Sequence, residues 1–364
     1  MRSAVRGAGS ATVSVLSALV VLVVLLPASA GAATSAANSG EDDPDAPPNA
    51  EVAFELQDPQ IRESSGFAVS PAHDGIYYTH NDSGPDMTPE VFALNESGET
   101  VATLRISGPE VEARDWEGMD IGTGPDGEPA MFVGDIGDNF GGQWPTIRVH
   151  QVPEPTELTD QTLEATTYTF TYADGGRDAE GLMIDPRDDR LYITSKEANG
   201  GVYAAPEDLS AEETNELTRV ASAPVFATGA SFAPDGETYV VRTYWSATVY
   251  DASDGVPGEA TARLPLPNQL QGESIAHTPD GSAVYVSSEG EHTPVWRIEL
   301  TEDQGAPQDT ENGTEDEDAA TEDAAPAADD QGPGWFDDAT WGLVLGGVVA
   351  AAVIGAIVFA ARRG

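Results

Sequence analysis

Glutamates recur at one place in a repeated pattern along this chain. Asp115-Trp116-Glu117-Gly118 and Asp178-Ala179-Glu180-Gly181 match each other most closely, and Gln271-Gly272-Glu273-Ser274 sets a third glutamate in the same surroundings. Ser65 and Thr228 occupy the corresponding place in two further copies. A second polar set recurs shortly after each of these: His80-Asn81-Asp82, Asp135 with Asp138-Asn139, Lys196-Glu197, Arg242 with Tyr244, and Ser288-Glu289. Carboxylates that converge repel one another, so they need a cation, shared protons, or the few bases nearby, which are Lys196, Arg242 and His80. A ligand set made of oxygen alone suits calcium better than zinc or copper. The metal candidates are therefore Glu117, Asp135, Asp138, Asn139, Glu180, Glu273 and Glu289, and the ligand-binding candidates are Asn81, Asp82, Glu197 and Arg242. The segment 134–139 has the form of a turn that presents carboxylates to a hard cation, without the EF-hand spacing. Three readings of Glu117, Glu180 and Glu273 stay open: backbone hydrogen bonds that pin neighbouring repeats together, a calcium or other hard-cation site, or a catalytic carboxylate site. Other chemistry is thin. Gly272-Glu273-Ser274 lacks the glycine a nucleophile elbow needs, the five histidines show no paired ligand spacing, and no glycine-rich phosphate loop or organic cofactor is indicated.

The elements that must position these residues can be read from turn chemistry. Pro-Asp-Gly-like turns recur at 70–75, 124–127, 185–189, 233–236 and 278–281, each suited to joining two antiparallel strands. A short apolar run precedes each turn, and an aromatic or β-branched run such as Ile76-Tyr77-Tyr78-Thr79 or Leu191-Tyr192-Ile193-Thr194 follows it. A third strand appears in every unit and a fourth in four of them. The last unit lacks its own, and the unused run 51–56 at the N-terminal side supplies it. The pattern predicts an all-β fold, a β-propeller over 50–300, with the N-terminal strand closing the last blade. Five blades is the count, six if the long second unit hides further strands; a two-sheet sandwich is the alternative, but it predicts no period. In such a blade the start of the first strand and the end of the second lie at one face, so both polar sets should crowd one mouth of the central channel.

The flanks have other roles. Residues 1–30 carry Arg2 and Arg6, an apolar run and Ala28-Ser29-Ala30, the three parts of a signal peptide, with a retained N-terminal helix as the alternative. Residues 31–49 read as a flexible leader and 301–340 as an acidic disordered stalk. Residues 341–361 are apolar and long enough for a transmembrane helix, and Arg362-Arg363 opens a tail, 362–364, that the positive-inside rule places in the cytoplasm. The chain has no cysteine, so the exported domain must be held by its core, or by metal as well. Its 63 acidic residues against 16 basic ones give a net charge of −47, which excludes nucleic acid and anionic lipid surfaces as partners.

At Asp178-Ala179-Glu180-Gly181-Leu182, Asp115-Trp116-Glu117-Gly118-Met119 and Gln271-Gly272-Glu273-Ser274-Ile275, with Tyr192 to Glu197 and Val286 to Gly290, the chain resembles the secreted propellers of the phytase-like (esterase-like) and SdiA-regulated type, in an actinobacterial membrane-anchored form. The resemblance covers most of 64–300. It implies a propeller with an acidic, calcium-binding centre and does not settle an activity. The Asp-Ala-Ala-Asp-Asp-Pro-Ala signature of the alkaline propeller phytases is absent, which argues against phytate. Gluconolactonase-type propellers hold one divalent ion with a Glu, an Asn and an Asp; Glu117, Asn139 and Glu180 imitate that set without its context. The expected function is a membrane-anchored extracellular propeller that binds a ligand from the envelope or the medium at an acidic, calcium-binding channel mouth. The alternative is a metal-dependent phosphoester or ester hydrolase, phytase-like or lactonase-like.

Overall fold

The computed structural model describes residues 46–82 and 87–306. The expected signal peptide, most of the leader and stalk, and the transmembrane helix lie outside the described residues. Among the described residues no helix is long and apolar enough to cross a membrane.

Strand β1 (Ala50–Glu55) opens the chain, followed by β2 (Ser64–Val69), β3 (Tyr77–Asn81), β4 (Glu90–Leu94) and β5 (Thr100–Ser107). The second group is β6 (Trp116–Thr123), β7 (Pro129–Asp135), β8 (Ile147–Pro153), β9 (Gln161–Glu164) and β10 (Thr166–Tyr172). Then come β11 (Ala179–Asp185), β12 (Arg190–Ser195), β13 (Gly201–Ala204) and β14 (Asn215–Ser222), and β15 (Ala227–Phe232), β16 (Thr238–Thr243), β17 (Ser246–Asp251) and β18 (Ala260–Pro265). The last are β19 (Gly272–His277), β20 (Ala283–Ser288) and β21 (Pro294–Glu299). Within each group consecutive strands pair antiparallel, as the tight turns between them require, except that β9 stands apart from its own group. The last sheet runs β1-β21-β20-β19, so the N-terminal strand completes it and removes two exposed edges at once.

This arrangement is a β-propeller. The innermost strands β2, β6, β11, β15 and β19 pack side by side in that order, and β19 meets β2. The apolar residues lie between adjacent sheets rather than at the axis. Phe132, Val149 and Phe170 pack on Leu182, Leu191 and Tyr203 between the second and third groups. The ring closes on Phe54, Phe67, Tyr77 and Tyr285, with Tyr77 and Tyr285 hydroxyls 3.1 Å apart. The extra strand of the long second group makes no further sheet. Instead β9 adds parallel to the outer edge of β5, and β10 pairs parallel with β14, so outer edges of neighbouring sheets are tied to each other. The packed region is slightly longer than 50–300: Ala46 and Ala306 both pack on the core, and Glu302–Gln304 form a 3-10 turn where the stalk was expected to begin.

The inner strands begin earlier than the apolar pattern suggests. Ser65, Glu117, Glu180, Thr228 and Glu273 lie inside the strands, where the pairing slips in every unit, between Ser64 and Gly66, Trp116 and Met119, Ala179 and Gly181, Ala227 and Gly229, and Gly272 and Ile275. A bulge of this kind re-aims one side chain, and here it recurs at the same place around the ring. The glycine after the glutamate has a reason as well. A Cβ on Gly118 would stand 2.6 Å from the Glu180 carbonyl oxygen, so a side chain there would hold neighbouring inner strands apart.

Candidate functional site

The bulges gather the five repeated positions at one end of the channel. Glu117, Glu180 and Glu273 are 4%, 4% and 3% exposed there, with Ser65 and Thr228 completing the set. Below them Met119, Leu182, Ala230 and Ile275 narrow the channel to a gap of about 10 Å³, room for roughly one water. The opposite mouth is a separate cavity of about 250 Å³, mostly apolar, with Asp120 and His277 in its wall. The acidic mouth is therefore a dead-ended bowl and not one end of an open pore.

Two arcs of carboxylates form this bowl. In the first, one carboxylate oxygen each from Asp82, Asp115 and Glu117 lie within 4.8 Å of one another. The Ser65 hydroxyl donates to Glu117 Oε2 at 2.6 Å. Burial pushes the Glu117 carboxyl well above the ordinary range, and the Asp82 charge pushes it further; Asp115 is raised by burial to about 6. The loop 136–139 is pressed against this arc. A Cβ on Gly137 would stand 2.7 Å from the Asp115 carboxyl carbon and 2.9 Å from Glu117 Oε1, and the Asn139 backbone N–H donates to the Asp115 carboxylate. In the second arc, Glu273 shares a hydrogen bond with Glu289, whose carboxyl is raised to about 8 by burial and then by the Glu273 charge. Gln271 Nε2 donates to Glu289 Oε2 at 2.8 Å.

Lys196 stands between the arcs. Its ammonium forms a close ion pair with Glu180 Oε1 and lies 5.4 Å above the Tyr244 ring. Its charge also favours the ionised forms of Glu117, Glu273 and Glu289. Glu180 Oε2 and Glu273 Oε2 are buried and accept no hydrogen bond from the protein. A buried carboxylate oxygen without a donor costs free energy unless a proton, water or cation meets it.

The remaining candidates have other places. Asp135 is fully buried between Arg114 Nε at 3.5 Å and Arg148 Nη1 at 3.4 Å, and it accepts from the Asp115 backbone N–H at 3.0 Å, so it braces the first arc from behind. Asp138 folds its own loop, accepting from the backbone N–H of Phe140 at 3.1 Å and of Trp144 at 2.6 Å. The segment 134–139 thus lends backbone to the site, while its acids hold the loop. Asn81 uses its amide to fix 60–63, accepting from Arg62 N at 2.7 Å and donating to the Gln60 carbonyl at 2.9 Å. Glu197 pairs with Arg177 at 3.7 Å. Arg242 is entirely buried and donates to the carbonyls of Ser274 and Ser287 at 2.6 and 3.0 Å and to Gln269 Oε1 at 2.7 Å. It is a strut between β16 and the last sheet, and burial lowers it only to about 10, so it stays charged. His80 is buried beneath the mouth with Nδ1 on the Asn81 carbonyl at 3.0 Å, and burial lowers it to about 4, so it is neutral near pH 7. Asp115 and Tyr244 join the bowl although neither was among the candidates. Asp115 had a signal, because it stands two places before Glu117 just as Asp178 stands before Glu180.

No protein-family model and no curated protein sequence matches the chain. Solved structures that match the chain include that of U3-55K, 8% identical over 69% of this chain and 98% of that one, with a TM-score of 0.37. Another is XC5397 from Xanthomonas campestris, described as a gluconolactonase, 14% identical over 68% of this chain and 91% of that one, with a TM-score of 0.38.

Proposed function

We propose that this chain is an exported, membrane-anchored propeller of five blades, of the phytase-like and SdiA-regulated type, that binds a divalent cation at its acidic channel mouth and presents it to a ligand outside the cell. The observation that carries the reading is the first arc: three carboxylates, two of them shifted towards protonation, within 4.8 Å of one another. Calcium takes oxygens at about 2.3–2.6 Å, so ligands facing each other across the ion stand about 5 Å apart, and Asp82, Asp115 and Glu117 meet that spacing. Calcium is favoured over magnesium because buried carboxylates replace the waters that magnesium keeps. The ion would leave coordination positions open towards solvent, where a hydroxyl, carbonyl or phosphate oxygen of a ligand completes the sphere. Export and anchoring are supported by the composition of 1–30 and 341–361.

Thermal unfolding with and without calcium tests the site. At a hundred times its dissociation constant, an ion that binds only the folded state adds about 2.7 kcal/mol. Glu117→Gln is expected to abolish that increment. No calcium-dependent rise in the wild type, or an undiminished rise in the variant, would remove the cation from the account.

A second reading, hydrolysis of phosphate or ester bonds at the same ion, is favoured by Glu289. Its carboxyl is raised to about 8, so it holds a proton near neutral pH and can protonate a leaving group, and a divalent ion held by Asp82, Asp115 and Glu117 would supply Lewis-acid activation of water. Turnover of a phosphomonoester, a phosphodiester and a lactone in calcium or manganese is the check. Loss of 10²-fold or more in Glu289→Gln is expected if this reading holds, and silence across all three substrates leaves the binding module.

A further inference from the structure

Strand directions alternate through each sheet, so the loops after each second strand and those leading into each first strand all lie at the end that carries the acidic bowl. Among the described residues six large apolar side chains are exposed, and five stand on those loops: Met87, Phe140, Val225, Trp245 and Leu270. Val101, at the start of β5, is at the other end. Trp245 is 64% exposed and Leu270 is 99% exposed.

Their distribution around the ring is uneven. Val225 precedes β15, Trp245 sits in the β16–β17 turn, and Leu270 precedes β19, so three of the five flank the fourth sheet. That sheet is the one whose inner strand brings Thr228, and not an acid, to a position where its two neighbours bring Glu180 and Glu273. These three apolar side chains thus stand on the side of the ring where the acidic arcs are interrupted. The two surfaces are continuous through Tyr244. Its hydroxyl feels the charges of Glu273 and Glu289, its face carries Lys196, and its ring meets Trp245 edge-on at 5.8 Å.

We infer that this face docks a basic, apolar peptide segment of a partner protein, with lysine or arginine side chains over the acidic bowl and neighbouring aliphatic or aromatic side chains on Val225, Trp245 and Leu270. Charge complementarity selects the occupant, because an acidic bowl set beside these apolar side chains rejects anionic and purely apolar ligands alike. The inference uses the mouth of the proposed cation site but needs no ion in it.

The test uses the full chain and a fluorescein-labelled peptide of alternating lysine and leucine with one tryptophan. The comparison probes are the same peptide with glutamate in place of lysine, and the same peptide with serine in place of lysine. Saturable binding that weakens with salt is expected for the lysine peptide alone. Trp245→Asp and Leu270→Asp should each weaken it at least tenfold, and Val101→Asp at the opposite end should leave it unchanged. Both rim variants should keep the calcium-dependent rise in unfolding temperature, so loss of docking and loss of the cation site read separately. Equal binding of the glutamate or serine peptide, or wild-type affinity in both rim variants, would overturn the inference.

Discussion

Lys196→Met is expected to destabilise the fold by about 3–5 kcal/mol at neutral pH, the cost of leaving a buried partner charge uncompensated. Lys196 is the only lysine in the chain, and it meets carboxylates from three different sheets. Its partner Glu180 has a side chain 5% exposed, and the second oxygen of that carboxylate has no donor. Methionine keeps the length and most of the packing on Tyr244, so the loss reports charge and not volume. The double variant Glu180→Gln, Lys196→Met should recover at least half of the loss in urea unfolding, because the amide no longer needs a counter-ion. A single-variant loss below about 1 kcal/mol would mean the pair is hydrated and behaves as a surface ion pair.

The same residue shows how much of the site sequence could reveal. The strand order followed from local signals: turns such as Ala233-Pro234-Asp235-Gly236 and flanking runs such as Tyr239-Val240-Val241 act within a few residues, so they are legible one unit at a time. The pairing of β1 with β21 was legible because the last unit lacked a strand and the chain had one to spare. The three inner glutamates were legible because they repeat. Their partners were not. Asp135 looks like a cation ligand until the fold delivers Arg114 and Arg148 to it. Arg242 looks like a mouth base until it is seen spanning to backbone carbonyls of the next sheet, contacts that carry no signature in side-chain type. Asp82 and Asp115 meet only because β2 and β6 are neighbours in the ring. The bulge that turns the glutamates inward is likewise invisible, since a one-residue slip leaves the apolar alternation on either side intact.

Without added metal, the raised carboxyls of the bowl should lower stability as pH rises from about 4.5 to 8, opposed up to about pH 6.5 by the buried His80, His150 and His277, whose values near 4 favour folding as pH rises, and calcium should reverse the carboxyls' effect. Asp115 is raised from 3.8 to about 6 and Glu289 from 4.5 to about 8, with Glu117 and Glu273 raised as well. A carboxyl whose folded value is raised binds its proton more tightly in the folded state. The folded chain therefore holds more protons than the unfolded chain between the two values, and stability falls with pH across that window. The Asp115 shift alone corresponds to about 3 kcal/mol between its unfolded and folded values. Asp115 and Glu289 are both half-buried, so each adds less than its shift implies because solvent screens it. Below pH 4 the effect is spent, since both states are protonated. Calcium needs the ionised carboxylates, so it displaces protons as it binds and its affinity grows as pH rises. Unfolding midpoints measured in chelator and in calcium should therefore converge near pH 4.5 and separate steadily towards pH 8. Asp115→Asn should flatten the chelator curve and close much of the gap at pH 8. A chelator curve that rises from pH 6.5 to 8, above the window in which the buried histidines act, would show that these carboxylates are ionised and compensated within the protein, with Lys196 and ordered water sufficient to hold the bowl together.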